Sequence, residues 1–231
     1  MSSLIFRLAA QAVQSISAHL ANMERAKPAA LATSTHDLLK AKRMAAFIDP
    51  GDRVLDVGSG HGDRLVHLSL FRSDLTTVGV DLAGGRPTPL PGSTTPDIHT
   101  FDGKRVPFDD KSFDIVMTCY VLHHLSPVAV DAMLSEMLRC AKKRILILED
   151  STDHWDTFYR LRNWMHILDT DLEYASSASF IKRRGIDSFL TRPEWLDRLS
   201  KLPRARHVQF VSLDDISRYR HHSLFVVELD P

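Results

Sequence analysis

The sequence predicts an α/β fold built on a doubly wound, mostly parallel β-sheet. Short apolar runs rich in β-branched residues alternate with amphipathic helical stretches along the middle of the chain, and this alternation is typical of βαβ units. A chain of 231 residues fits one elaborated domain and buries roughly 70 to 75% of its unfolded surface. The apolar fraction of 44% and the charged fraction of 25% are ordinary for a globular protein, so disorder and a coiled coil are disfavoured.

The hydrophobic pattern predicts the elements in order. Helices are expected at residues 35–48, 64–71 and 126–141. Strands are expected at residues 53–57, 76–80, 113–118, 144–148, 206–211 and 223–229. The last two strands are expected to close the sheet as an antiparallel pair.

Two segments break the alternation of strand and helix. Residues 83–96 are so rich in proline and glycine that they predict a long loop in place of a crossover helix. Residues 151–203 contain three tryptophans and are longer than one crossover requires, so they are expected to add helices over the carboxyl edge of the sheet. The aromatic side chains in this stretch indicate either a partly apolar pocket or plain core: Trp155, Phe158, Tyr159, Trp164 and Phe180.

The first 23 residues predict an amphipathic helix. Their apolar residues recur at three- and four-residue steps, at Ile5, Ala9, Ala12, Ile16, Leu20 and Met23. Such a helix packs on the domain, covers a pocket as a lid, or lies on a membrane surface; the last is disfavoured because few Lys or Arg residues are nearby. No basic residue precedes the apolar run, so a signal peptide is rejected.

Charge and cysteine content narrow the functional classes. The chain has 29 basic and 29 acidic residues, interspersed, whereas a nucleic-acid binder usually carries a basic excess. The two cysteines, Cys119 and Cys140, are too few for a disulfide scaffold and too far apart for a C-x-x-C motif. No window approaches about 18 consecutive apolar residues, so no membrane span is expected. These observations favour a cytoplasmic enzyme or binding protein without a nucleic-acid partner.

A glycine-rich loop follows the first predicted strand. Gly58, Gly60 and Gly62 let the backbone approach a ligand closely, and the helix that follows offers unpaired N–H groups. Asp81 ends the next strand, 21 residues after Gly60, where an acidic side chain accepts the hydroxyls of a ribose. A tight strand-to-helix turn without a ligand is the alternative. The spacing G-x-G-x-G places Asp63 where a dinucleotide fingerprint has its third glycine, which disfavours a nicotinamide dinucleotide.

At this point the sequence resembles the class I S-adenosylmethionine-dependent methyltransferases, and within them the small-molecule (type 11) branch typified by ubiquinone and menaquinone biosynthesis enzymes. The matching segments are VLDVGSGHG at 54–62, VGVDL at 78–82, FDGKRVPFDDKSFDIVMTCYVLHHL at 101–125 and ILILED at 145–150. The resemblance implies a Rossmann-like sheet of seven strands with an antiparallel last strand, helical additions at the amino terminus and after the fifth strand, and S-adenosylmethionine as the cofactor.

The resemblance also assigns cofactor-binding residues. It places the methionine portion at Asp56, Gly58, Ser59 and Gly60, the ribose at Asp81 and Leu82, the adenine at Asp102 and Gly103, and the remaining cofactor surface at Cys119 or Tyr120. Asp102 is alternatively only a turn residue. The sequence departs from the family in the loop 83–96 and in residues 140–144, which replace the usual glycine pair and are expected to alter only a turn.

Methyl transfer needs a positioned acceptor more than a protein nucleophile. A base adjacent to the acceptor adds about 10² to 10⁴ in rate, and the candidates at the strand ends are Tyr120, His123, His124, Glu149 and Asp150. The pair His123-His124 belongs to a family signature that occurs with many acceptors, so it is alternatively structural. No His, Cys or carboxylate spacing indicates a metal. The cluster 182–184 is either a solvated surface or a contact for an anionic acceptor.

The predicted function is therefore methyl transfer from S-adenosylmethionine to an O, N or C nucleophile of a small, partly apolar molecule. The alternatives are a relative that binds the cofactor without this activity, a nicotinamide-dependent oxidoreductase, and a nucleic-acid methyltransferase. One domain is predicted over residues 1–231, with a helical cap at 1–48, the cofactor-binding core at 49–150, substrate-cap helices at 151–203 and closing strands at 204–231. The oligomeric state stays open.

Overall fold

The computed structural model describes residues 35–151, 153, 190–216 and 221–231. Residues His36–Pro231 belong to one compact unit. The predicted amino-terminal helix, the cluster 182–184 and the five aromatic residues proposed for a pocket lie outside the described residues, so those hypotheses and the division of one domain into four parts stay predictions. None of the helices in the described part of the chain is both long and apolar enough to cross a bilayer.

The described elements follow the predicted order closely. The helices are α1 (Thr35–Ala45), α2 (Asp63–Ser69), α3 (Pro127–Cys140) and α4 (Arg192–Ser200), with a short 3₁₀ helix at Leu122–His124. The strands are β1 (Arg53–Val57), β2 (Thr76–Asp81), β3 (Asp97–Thr100), β4 (Phe113–Cys119), β5 (Ala141–Asp150), β6 (Ala205–Ser212) and β7 (His222–Leu229).

The seven strands form one sheet in the order β3-β2-β1-β4-β5-β7-β6. The first five strands are mutually parallel, and β7 is antiparallel to both of its neighbours. The α/β sheet with an antiparallel last strand is therefore confirmed. Strand order reverses between β1 and β4, and in open parallel sheets ligands bind outside the carboxyl ends of the strands at such a point.

Each face of the sheet carries its own apolar core. On one face Ile145 and Ile147 of β5 pack with residues of α3 and α4, among them the buried Trp195. On the other face Leu146 and Leu148 pack with Met44 of α1 and with residues of α2. Side chains alternate between the two faces along a strand, and burying one such Leu or Ile contributes about 2 kcal/mol. The continuous apolar run of β5 thus follows from burial on both sides.

Two local expectations need correction. The strand Asp97–Thr100 was not predicted as an element, because it is a four-residue edge strand with no buried side chain and so lacks an apolar run. The departure from the family at residues 140–144 was expected only to alter a turn, but the structure has no turn there, because Cys140 ends α3 and Ala141 begins β5. A register shift between Phe113 and Ile115 of β4 accommodates the earlier start of β5.

The segment between β2 and β3 is a loop without helix or strand, as predicted. The loop packs back on α2, where the Thr94 N–H donates to Ser69 Oγ over 2.9 Å. Gly85 lies against His61: a Cβ at Gly85 would be 2.2 Å from His61 Nδ1. The proline-rich loop is therefore held beside the glycine-rich loop.

Candidate active site

The glycine-rich loop is fastened to the neighbouring strands by its own backbone. The N–H groups of Gly58 and Ser59 donate to the Val80 carbonyl over 2.8 and 3.0 Å. Gly58 has φ of +79°, and a Cβ there would lie 2.4 Å from Val121 Cγ2. Only glycine combines this left-handed backbone with such a close neighbour. The loop thus rests on both the end of β2 and the residues that follow β4.

Gly60 presents the open side of the same loop. Its φ is +56°, and a Cβ at this position would meet no atom within 4 Å. Its N–H donates to Asp81 Oδ2 over 2.8 Å, so the loop and the predicted ribose-binding carboxylate are joined directly. The structure thereby leaves room for a ligand next to Asp81.

Asp56 is a buried carboxylic acid at the carboxyl end of β1. Its side chain is 1% exposed, and Oδ1 has no hydrogen-bond partner among the described residues. Burial raises the pKa of Asp56 to about 7, the Arg64 charge opposes this rise and the Asp81 charge adds to it. Ser59 Oγ, in the loop that follows β1, is also buried and finds no partner within the described part of the chain. Because buried polar groups are normally satisfied, these two atoms fit the polar end of a ligand such as an α-ammonium group.

The predicted adenine site lies at the carboxyl ends of β2 and β3. Leu82 follows β2, and Asp102 and Gly103 come shortly after β3. Leu82 is 57% exposed, and a Cβ on Gly103 would lie 2.9 Å from Leu82 Cδ2, so the structure brings these two residues together. Asp102 Oδ1 accepts the N–H groups of Lys104 and Arg105 over 2.9 and 3.0 Å. These donors lower the pKa of Asp102. The turn role that was the alternative for Asp102 is therefore real, and its contact with adenine stays a prediction.

Cys119 and Tyr120 end β4 beside the glycine-rich loop. Burial raises the pKa of the Cys119 thiol well above its usual value, so this side chain is a neutral, weakly polar surface at physiological pH. Tyr120 has φ of +60°, a left-handed conformation that is rare for an aromatic residue. The Tyr120 N–H donates to the Leu148 carbonyl over 2.8 Å, which holds the turn after β4 against β5.

His123 is held by a carboxylate from the next strand. Its Nδ1 lies 2.5 Å from Glu149 Oε2, and Glu149 Oε1 accepts the Leu122 N–H over 2.8 Å. Both side chains are buried. The His124 ring stacks at a tilt on His123 with 4.2 Å between ring centroids. Since Nδ1 faces Glu149, proton transfer to a ligand would use Nε2 of His123.

Two residues in this region were not predicted from the sequence to belong to the site. Arg64, in the first turn of α2, donates to Asp37 of α1 and has a buried Nε without a partner among the described residues. His222 of β7 pairs with Asp150 of β5 over 2.7 Å. No motif marks either residue. The contact with Asp150 arises because β5 and β7, distant in sequence, are adjacent in the sheet.

Two grooves among the described residues lie at the opposite edge of the sheet. They measure about 430 and 400 Å³, and basic residues contribute to both, with Lys143 and Arg144 in the larger one. These cations are already paired: Lys143 Nζ lies 2.5 Å from Asp52 Oδ1, and Arg144 Nε lies 2.8 Å from Glu228 Oε1. We therefore assign no ligand to this edge. Within the described part of the chain, no cluster of three His, Cys, Asp or Glu side chains has the arrangement of a metal site.

A family model described as a methyltransferase domain matches residues 31–227. The chain belongs to this methyltransferase family. Among curated relatives, the demethylmenaquinone methyltransferase of Roseiflexus castenholzii is 35% identical over 97 residues, covering 39% of this chain and 38% of that protein. The ubiquinone/menaquinone biosynthesis C-methyltransferase UbiE of Cupriavidus metallidurans is 30% identical over 131 residues, covering 50% and 51%. The chain thus spans about half or less of the length of the curated relatives it matches.

Solved structures show the same fold. The S-adenosylmethionine-dependent methyltransferase of Aquifex aeolicus aligns with a TM-score of 0.55 and 16% identity over 86% of this chain and 94% of that one. Magnesium protoporphyrin IX methyltransferase of Synechocystis, solved with bound S-adenosylhomocysteine, aligns with a TM-score of 0.52 and 15% identity over 84% of both chains. These similarities support the methyltransferase fold and carry no information about the acceptor.

Proposed function

We propose that this protein transfers a methyl group from S-adenosylmethionine to a small molecule. The observation that carries the proposal is the buried Asp56, whose Oδ1 has no hydrogen-bond partner among the described residues, at the start of the loop in which Gly60 has open space. Family membership supports the reaction class, and the curated relatives, named for quinone biosynthesis, support a small and partly apolar acceptor. The free thiols of Cys119 and Cys140 are compatible with a cytoplasmic location, which stays a prediction.

The proposed roles follow the geometry of the cofactor-binding residues. Asp56 would receive the α-ammonium group, Asp81 the ribose hydroxyls and the surface of Leu82 and Gly103 the adenine ring. When bound, the cofactor supplies a methyl group on a sulfonium, and transfer leaves the electron pair of the broken S–C bond on sulfur while the acceptor loses a proton. The chain's main task is to hold the acceptor in line with that methyl group.

We further propose His123 as the group that accepts the acceptor's proton. A carboxylate that faces Nδ1 fixes the ring and stabilises its protonated form, and Glu149 is placed for this role. The ring of His124 packs on the ring of His123. The alternative is that the His123–Glu149 pair only fixes the turn after β4.

The nicotinamide-dependent alternative fits the site poorly. Asp63 stands at the beginning of α2, where the third glycine of a dinucleotide fingerprint would be. Its Oδ1 accepts the Thr88 N–H over 3.4 Å, so a carboxylate occupies the position at which a pyrophosphate would approach the helix. A relative that binds the cofactor without transferring a methyl group is distinguished only by an activity measurement.

Thermal unfolding with S-adenosylhomocysteine tests the cofactor. A ligand at about 100 times its Kd stabilises by roughly 2.7 kcal/mol, and at roughly 2 to 4 °C per kcal/mol for a chain of this size we expect a rise in Tm of about 5 to 10 °C. Asp81→Ala should abolish the rise because it removes the acceptor for Gly60 N–H and for the ribose. Asp97→Ala, an exposed aspartate on β3, is the matched control and should keep it. A rise with NAD(H) and none with S-adenosylhomocysteine would refute the proposal.

A methyl-transfer screen over phenols, hydroquinones, acids and amines tests the base. With an acceptor in hand, His123→Asn should lower the rate by about 10² to 10⁴ and leave the shift with S-adenosylhomocysteine intact. His124→Asn is the matched control and should retain most of the rate. If His123→Asn keeps the full rate, the histidine has only a structural role. If no compound in a broad screen is methylated although the cofactor analogue binds, the non-catalytic alternative gains support.

A further inference from the structure

Asp56 and Arg64 flank the glycine-rich loop on the same side of the sheet. Val54, two residues before Asp56 in β1, packs in the core on the α1 side, and side chains two residues apart in a strand point to the same face. Asp56 therefore points to the α1 side. Arg64 lies in the first turn of α2 and pairs with Asp37 of α1, so its guanidinium lies on that side as well.

Contacts from α1 fix the Arg64 guanidinium. Its Nη1 donates to Asp37 Oδ1 over 3.2 Å and to the Asp37 carbonyl over 3.4 Å. Asp37 Oδ1 also lies 3.8 Å from Lys40 Nζ, and Lys40 Nζ lies 5.0 Å from the centre of the Tyr120 ring. This series of contacts connects Arg64 to the turn after β4.

The Nε atom of Arg64 is buried and has no hydrogen-bond partner among the described residues. An unpaired donor on a charged group is costly to bury, and buried polar groups are normally satisfied. Nε and Nη2 form one edge of the guanidinium, and such an edge binds a carboxylate through two parallel hydrogen bonds. Because Asp37 is bound through Nη1, a carboxylate can bind at this edge without displacing Asp37.

The charge of Arg64 acts on the proposed ammonium site. Burial raises the pKa of Asp56 to about 7, and the Arg64 charge opposes that rise. Burial also raises the pKa of Cys119 and of Tyr120, and Arg64 opposes both shifts. The guanidinium therefore lies close to the carboxyl ends of β1 and β4, where the proposed cofactor binds.

S-adenosylmethionine has a group that fits this position. Its α-ammonium and α-carboxylate groups are attached to one carbon atom, so an ammonium group bound at Asp56 brings the carboxylate close to Arg64. The neighbouring carboxylates of Asp56 and Asp81 would repel that group, since like charges destabilise each other strongly where little water is present. A fixed guanidinium with a donor to spare offsets this repulsion.

We propose that Arg64 donates a hydrogen bond from Nε to the α-carboxylate of the bound cofactor. The inference rests on the proposed function and extends it, because the cofactor site then includes α2 and selects a donor that carries the complete methionine moiety. No motif marks this role in the sequence, since the orientation of Arg64 depends on the contact between α1 and α2.

Two ligands that differ only in this carboxylate test the inference. They are S-adenosylhomocysteine and its decarboxylated analogue, which keeps the adenosine, the thioether and the ammonium group. In calorimetric titration, S-adenosylhomocysteine should bind wild-type protein about 10- to 100-fold more tightly than the analogue, the factor expected for a hydrogen bond to a charged group.

Variants of Arg64 should change this preference in a graded way. Arg64→Met should reduce it to within about 3-fold, while the affinity for the decarboxylated analogue stays the same or rises. Arg64→Lys keeps the charge without the planar fork and should retain part of the preference. Arg43→Met is the matched control, because Arg43 lies in the last turn of α1 and pairs with Asp215 over 2.7 Å. It should keep the full preference.

The outcomes separate the two proposals. If wild-type protein binds neither ligand, the proposed function fails and the inference about Arg64 fails with it. If S-adenosylhomocysteine binds but the analogue binds as tightly, or if the preference survives in Arg64→Met, only the inference about Arg64 is overturned. Binding of the analogue also shows that a variant is folded. If Arg64→Met does not fold, a reduced preference in Arg64→Lys supports the inference and an unchanged one overturns it.

Discussion

Asp56 is a carboxylic acid placed where water does not reach it. Three neighbours set its charge state: the buried strand around it, the guanidinium of Arg64 and the carboxylate of Asp81. Burial is the largest of these effects and favours the neutral acid. A cationic group of a ligand beside Asp56 reverses the balance, because an opposite charge favours the carboxylate. The residue therefore couples protonation, stability and ligand binding.

Because of this coupling, the free energy of unfolding is expected to depend on pH in a definite direction. The pKa of Asp56 rises from 3.8 in the unfolded chain to about 7 in the folded protein, so the folded state binds the extra proton and the residue's contribution is largest at low pH. That contribution is lost as pH rises from about 4 to 7, by up to about 1.4 kcal/mol per pH unit. Asp56→Asn should remove this loss, so its stability relative to wild type should improve by about 3 kcal/mol between pH 4.5 and 7 in urea unfolding.

The matched control for this measurement is Asp109→Asn, at an exposed position between β3 and β4. Its stability relative to wild type should not change over the same pH range. Saturating S-adenosylhomocysteine should flatten the pH dependence of wild type, because the ammonium group of the ligand lowers the pKa of Asp56. Equal pH profiles for wild type and Asp56→Asn would mean that Asp56 titrates at its ordinary pKa.

At the scale of an element, the glycine-rich loop contains glycines that are required for two different reasons. Gly58 is required by packing against Val121, whereas Gly60 has open space around the position of a Cβ. Gly51, in the turn before β1, has the same combination as Gly60, with φ of +73° and no atom within 4 Å. Each N–H donates to an aspartate over 2.8 Å, to Asp74 at Gly51 and to Asp81 at Gly60, but only Gly60 lies in the glycine-rich loop.

Replacing each of these two glycines by alanine separates the effect on protein stability from the effect on ligand binding. Gly51→Ala and Gly60→Ala should each lower stability by about 1 to 2 kcal/mol, the usual cost of a left-handed backbone for a residue with a side chain. Only Gly60→Ala should also weaken S-adenosylhomocysteine, by more than 10-fold in calorimetric titration, because the methyl group fills the cradle. Equal affinity in both variants would place the ligand elsewhere.

At the scale of the whole molecule, one sheet runs from β3 to β6 without a break. The proposed ligand contacts β1, β2 and β4, while β7 is two strands beyond β4. A sheet with two shared cores is expected to open as a unit. A ligand bound at β1, β2 and β4 should therefore slow amide hydrogen exchange also in strands that it does not touch.

Amide hydrogen exchange measures that protection. With S-adenosylhomocysteine at about 100 times its Kd, exchange through global opening should slow by about 100-fold. We expect this factor both at Leu55 of β1 and at Val226 of β7, two fully buried core positions. Slowing confined to β1 and β2 would show that the sheet opens in separate parts.

Much of the fold follows from the local pattern of apolar residues, and particular elements show where that pattern no longer predicts the structure. The run Arg53–Val57 was predicted with its observed bounds, because a buried strand bounded by glycine has a strong local signal. The strand Asp97–Thr100 escaped prediction because an exposed edge needs no apolar pattern. The spacing between Gly60 and Asp81 predicted a ribose-binding carboxylate, but not the hydrogen bond that joins the two residues. Asp102 Oδ1 caps a turn, and its contact with adenine stays a prediction.

The sequence by itself determined the alternation of strands and helices, the glycine-rich loop and the family to which they point. The alternation and the loop depend on residues close in the chain, and the family resemblance depends on the order and spacing of four short segments between residues 54 and 150. The tertiary structure alone decided that Asp150 meets His222, that Arg64 reaches Asp37 and that Glu149 holds His123. These contacts depend on which strands and helices become neighbours in space, which local periodicity does not specify.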